Sequence, residues 1–85
     1  MATTLLRLRL VACEKWWPIA SSYWCKQRHV RAKQTALLFE TTKKHFGKVE
    51  ALIRRLHSDE VPCIVSWRIE SGSTSYMRWF QRVMR

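Results

Sequence analysis

The sequence predicts a small α+β domain, with helices laid on one face of an antiparallel sheet. Three observations carry that expectation. Runs with a two-residue apolar period lie near both ends of the chain, at 6–10 and 61–69. Between them, a stretch from Lys43 to Leu56 repeats its apolar residues every three or four positions. The resulting order is strand, strand, helix, strand, short helix, which suits a sheet with helices on one side.

Taken in turn, Leu6-Arg7-Leu8-Arg9-Leu10 alternates strictly, and its apolar character continues through Val11, Ala12 and Cys13. That is the pattern of a half-buried strand. Trp16-Trp17-Pro18-Ile19 follows, with Pro18 marking an edge, a bulge or a bend. Ser21 to Cys25 reads as extended. Lys26 to Lys33 holds Arg28, His29 and Arg31 without apolar periodicity, as expected of a hairpin tip or a solvated strand. Thr35 to Phe39 resumes as a buried strand that ends near Glu40.

Thr42 is placed to cap the central helix, whose apolar stripe is Phe46, Val49, Leu52, Ile53 and Leu56. Lys43, Lys44, Lys48, Arg54 and Arg55 fall away from that stripe. The helix stops before Asp59-Glu60-Val61-Pro62, because Pro62 biases Val61 to an extended shape. Val61, Cys63, Val65, Trp67 and Ile69 then form the apolar face of a third strand. Ser71-Gly72-Ser73 is a turn. Ser75 caps a closing helix that carries Tyr76, Trp79, Phe80 and Val83 on one side.

The chain has 85 residues, which is room for one domain. Folding at that length removes only roughly 60–65% of the unfolded chain's surface, so a lone monomer is marginal and self-association is the expected remedy. Sixteen Lys and Arg against six acids leave a net charge of +10, which favours anionic partners and predicts adventitious polyanion binding. No apolar run approaches the roughly 18–20 residues of a transmembrane helix. Cys13, Cys25 and Cys63 make neither a CxxC pair nor an even set, which points to a reducing compartment such as the cytoplasm. Met1 to Cys13 is basic and free of acids, and organelle targeting is the alternative that composition raises.

At Leu56-His57-Ser58-Asp59-Glu60-Val61-Pro62 the sequence becomes specific. With Ile64-Val65, Gly72 and Tyr76-Met77-Arg78-Trp79, this run resembles the CutA family of divalent-cation-tolerance proteins. The family carries a His-Pro/Ser-Tyr-Glu-Val-Pro segment, a strand, a glycine turn and a Tyr-Leu-x-Trp closing helix. Leu10-Val11-Ala12-Cys13, Pro18-Ile19 with Ser21-Ser22-Tyr23-Trp24, and Leu37-Leu38-Phe39-Glu40-Thr41 resemble three further family segments, in the same order. The resemblance covers the chain from about Arg9 onward.

It implies a ferredoxin-like α+β domain assembled as a homotrimer, linked to divalent metals and notably copper, with no established reaction. It also implies that the family's opening strand and most of its first helix are absent, with Met1 near that helix's end. Residues 1–8 are then irregular or a replacement strand. Cys25, Glu40, Asp59 and Arg68 stand where the family has Trp, Lys, Tyr and Pro, and the normally acidic hairpin is basic.

The resemblance singles out Cys13 and His57 as a thiol–imidazole pair, with Glu60 as an added oxygen ligand. Such donors suit copper or zinc, so a divalent metal is expected as ligand with no obligatory cofactor. The alternative is an inert core thiol and a histidine capping a helix end. No catalytic residues are assigned, because the sequence has no nucleophile elbow and no Gly-rich phosphate loop. Five tryptophans point to an association surface, and Tyr23, Trp24, Trp67, Tyr76 and Trp79 are the expected trimer or core contacts. The rival function is a nucleic-acid or anionic-surface binder using Lys26, Arg28, Arg31 and Lys33 beside Trp24.

Overall fold

The computed structural model describes residues 2–59 and 61–85. Its elements are α1 (Ala2–Arg7), β1 (Cys13–Cys25), β2 (Arg28–Glu40), a 3-10 turn at Lys43–His45 running into α2 (Phe46–Leu56), and α3 (Thr74–Val83). The α+β class expected from the sequence is the one observed.

The run Leu6–Leu10, expected as a strand, is instead the end of α1 and its cap. The Leu10 N–H donates to the Leu5 carbonyl and the Arg9 N–H to that of Leu6, both at 3.0 Å. Arg9 takes φ 55°. Those two bonds around a left-handed residue satisfy the helix's last carbonyls in a Schellman motif. The motif also brings Leu5 and Leu10 together, and both are buried in the larger core cluster. A two-residue alternation was therefore produced by a helix cap whose flanking leucines meet across the turn.

β1 and β2 form one long hairpin, registered from Cys13 opposite Glu40 to Cys25 opposite Arg28. Lys26 and Gln27 make the two-residue turn, with φ of 49° and 66°. Positive φ at both central residues marks the turn whose twist matches paired strands, a place usually given to Asn-Gly. The 13-residue strand β1 is about 43 Å long at a rise of about 3.3 Å per residue. It accounts for the 45 × 25 × 19 Å extents and for a radius of gyration of 14.9 Å, against about 12 Å for a compact chain of this size.

Pro18 interrupts nothing, since it sits opposite Thr35 in unbroken register. Counting back in twos from Cys25–Arg28 puts Pro18 at a non-hydrogen-bonded pair. Its missing N–H therefore belongs to the open edge of β1, where proline is tolerated.

α2 lies where its spacing predicts, and Val49 and Ile53 are buried. They pack with Leu5, Leu10 and Val11, flanked by Phe39, Leu52 and Ile64. A second cluster, Ala12, Phe80 and Met84 with Val83, seats α3. Thr42 does not cap through its side chain; its hydroxyl meets His45 Nδ1 at 2.6 Å instead. α3 begins earlier than expected, capped by Ser73 rather than Ser75; the Ser73 Oγ accepts from the Tyr76 N–H at 3.3 Å.

The third strand expected over 61–69 does not form. Among the described residues the sheet has only β1 and β2. This segment pairs with neither strand among the described residues. Its apolar residues stand in solvent: Val61, Val65, Trp67 and Ile69 are 86, 67, 74 and 47% exposed.

Candidate functional site

The base of the hairpin gathers the chain's most organised polar cluster. Register sets Cys13 directly opposite Glu40, and Lys15 lies two residues along the same face. Lys15 Nζ donates to Glu40 Oε2 at 3.2 Å. From the first turn of α3, the Tyr76 hydroxyl donates to Glu40 Oε1. The Cys13 thiol lies on the same face, opposite that carboxylate. One carboxylate thus accepts from a phenol and an ammonium, and ties α3 to the hairpin.

Burial would raise the Glu40 carboxyl, but Tyr76, Cys13 and Lys15 outweigh it and hold the group below the usual carboxylate range. Burial pushes the Cys13 thiol up, and the Glu40 carboxylate adds to that, so Cys13 stays protonated near neutrality. Burial and then Glu40 push the Tyr76 phenol up to about 12.

A raised folded-state value means that Tyr76 contributes stability fully below the unfolded phenol value of about 10. That contribution is lost as pH rises through about 12. Melting curves over this alkaline window should show wild type losing stability relative to Tyr76→Phe as pH climbs. A difference between the two proteins that stays constant with pH would sink the assignment.

His57 ends α2, its N–H donating to the Ile53 carbonyl at 2.8 Å. Its Nδ1 accepts from the Asp59 N–H at 3.0 Å, which leaves the ring proton of the neutral form on Nε2. Glu60, the third expected ligand, lies outside the described residues. Among the described residues no three His, Cys, Asp or Glu side chains converge as a metal-holding group. The charged groups that act on the Cys13 thiol are Glu40, Lys15 and Glu14, and the polar partner of His57 is Asp59.

The sequence reading missed Glu40, Tyr76 and Lys15 as a unit. The available signal was Glu40 itself, an acid standing where the resembled family has Lys. Glu14 was missed as well: its Oε2 is shielded from solvent and has no partner among the described residues.

The expected contact residues divide. Trp24, Trp67, Tyr23 and Trp79 are exposed. Tyr76 is half-buried, and its ring lies 5.6 Å from that of Trp79 at 38°. The basic residues of the hairpin divide too, Arg31 and Lys33 on one face and Arg28 on the other.

Comparison with known proteins bears on the family and the fold. The family profile described as CutA1 divalent ion tolerance protein matches residues 1–83. The divalent-cation tolerance protein CutA of Thermotoga maritima is 36% identical over 77 residues, covering 91% of this chain and 76% of the relative. The solved structure of CutA from Archaeoglobus fulgidus superposes with a TM-score of 0.94 at 28% identity, covering 99% of this chain and 82% of that one. Cut A1 from Thermus thermophilus gives 0.88 at 32% identity, over 93% and 78%.

Proposed function

The chain belongs to the CutA1 divalent ion tolerance family, and on that footing we propose that it is a non-catalytic metal-tolerance protein working as a homotrimer. The observation that supports assembly is the segment after Pro62. Val65, Trp67 and Ile69 alternate with polar residues, yet among the described residues the segment has no ladder partner, and Trp67 is 74% exposed. Large apolar side chains exposed so close together in sequence support an association site. β1 and β2 each keep an open edge, and an unpaired alternating segment is suited to add to the edge of a neighbouring copy.

In this reading a metal ion is cargo, either a divalent ion or copper in its reduced, monovalent form. Copper is the proposed ion, with Cys13, His57 and Glu60 as its donors, because thiolate and imidazole favour copper(I) and zinc. Cys13 must lose its proton first, so loading releases protons and weakens in acid. Three unpaired cysteines fit a reducing compartment, and the cytoplasm is the proposed location.

The test is the solution mass by sedimentation, with and without copper(I) under reducing conditions. The expected result is about three times the 10.2 kDa chain. A monomer or a polydisperse aggregate would overturn the trimer. Undiminished copper(I) binding by Cys13→Ser would overturn the ligand assignment.

A further inference from the structure

The outer hairpin carries a property that metal tolerance leaves unused. From Lys15 to Phe39 no residue is acidic, while Lys15, Lys26, Arg28, Arg31 and Lys33 are cationic. Of these, only Lys15 has an ion-pair partner among the described residues. The register sorts the outer side chains onto two faces. Ala20, Ser22 and Trp24 share one face with His29, Arg31 and Lys33.

On that face Trp24 is 76% exposed, and its ring lies 5.5 Å from the His29 ring at 43°. His29 Nε2 is 2.9 Å from Ser22 Oγ, which orders the imidazole beside the indole. Arg31 and Lys33 follow at two-residue steps, about 6.7 Å apart along the strand. Both flank a shallow, solvent-open depression beside Ala20 and Ser22. An exposed aromatic and two unpaired cations therefore stand in one row.

We propose that this row binds single-stranded nucleic acid, a base stacking on Trp24 while phosphates meet Arg31 and Lys33. Stacking on an aromatic beside a cationic track is how unpaired strands are held without sequence preference. The bases of a duplex are already stacked on one another and are not free to cover an indole. The apex argues against insertion into a bilayer, because it carries Lys26 and Gln27 where a lipid-entering segment presents apolar residues.

The experiment is fluorescence anisotropy of a labelled oligothymidylate of about 15 nucleotides, titrated with the full chain at about 50 and about 200 mM salt. Saturable binding that weakens with salt is expected. Trp24→Ala should weaken it about tenfold. Arg31→Ala with Lys33→Ala should flatten the logarithmic salt slope by about 1.4, two phosphate contacts' worth. Lys43→Ala with Lys44→Ala should change little. An equal loss from that second pair would mean net charge alone drives binding, and overturns the site. So would binding to phosphatidylserine vesicles without binding to the oligonucleotide. An altered sedimentation mass for Trp24→Ala, with oligonucleotide affinity unchanged, would assign Trp24 to contacts between copies and likewise overturn the proposal.

Discussion

Phe80→Ala is expected to cost about 3–5 kcal/mol, enough to leave the chain largely unfolded under mild denaturant. Phe80 is buried in the smaller of two core clusters, against Ala12 and Met84. Only eight apolar side chains among the described residues are buried, so losing one aromatic removes a large share of what holds the fold. α3 would keep its Tyr76 bond to Glu40, a contact of about 1.5–3 kcal/mol that cannot replace the lost packing. A urea titration followed by circular dichroism reads the effect. Arg78→Ala, exposed on the same helix, should shift the midpoint little. A midpoint for Phe80→Ala no lower than that of Arg78→Ala would show that α3 is not seated by this cluster.

Val65→Glu combined with Trp67→Glu is expected to abolish self-association while leaving the fold of each chain in place. Both residues point into solvent in a single copy, so charge there costs the monomer little. In an assembly the same carboxylates would be buried without partners, and a central interface tryptophan alone is worth about 2 kcal/mol or more. Sedimentation should then give the mass of one chain, with α2 and α3 intact by circular dichroism. A variant that kept the wild-type mass would remove the 61–70 segment from the interface.

Where local rules govern, the sequence was readable. The three-and-four spacing of Phe46 to Leu56 is a property of one helix, and α2 is found there. The alternation of Leu6 to Leu10 was equally regular and misleading, since a cap through Arg9 brings Leu5 onto Leu10 and breaks the link between period and strand. The alternation after Pro62 is written for a strand, but a strand exists only beside another one, and no residue pattern supplies the neighbour. Glu40 and Tyr76 meet across 36 positions, and only the register of β1 on β2 and the seating of α3 bring them together. Nothing in local spacing encodes that meeting. His57 closing α2 was legible, because helix ends are local events.

The left-handed turn at Lys26 and Gln27 has a consequence for the order in which the hairpin assembles. Starting from the apex means putting two side-chain-bearing residues into a region that costs about 1–2 kcal/mol each. Starting from the base means closing the whole hairpin as one loop, whose added entropic cost is about 2 kcal/mol because it grows only with the logarithm of length. The base also has anchors, Phe80 and Met84 against Ala12 and Tyr76 on Glu40, whereas the apex has none of comparable burial. Pairing is expected to zip outward from Cys13–Glu40, leaving the rungs near Cys25–Arg28 last to close and first to open. Their amides should then exchange with solvent well before those at the base, and the reverse order would place nucleation at the tip.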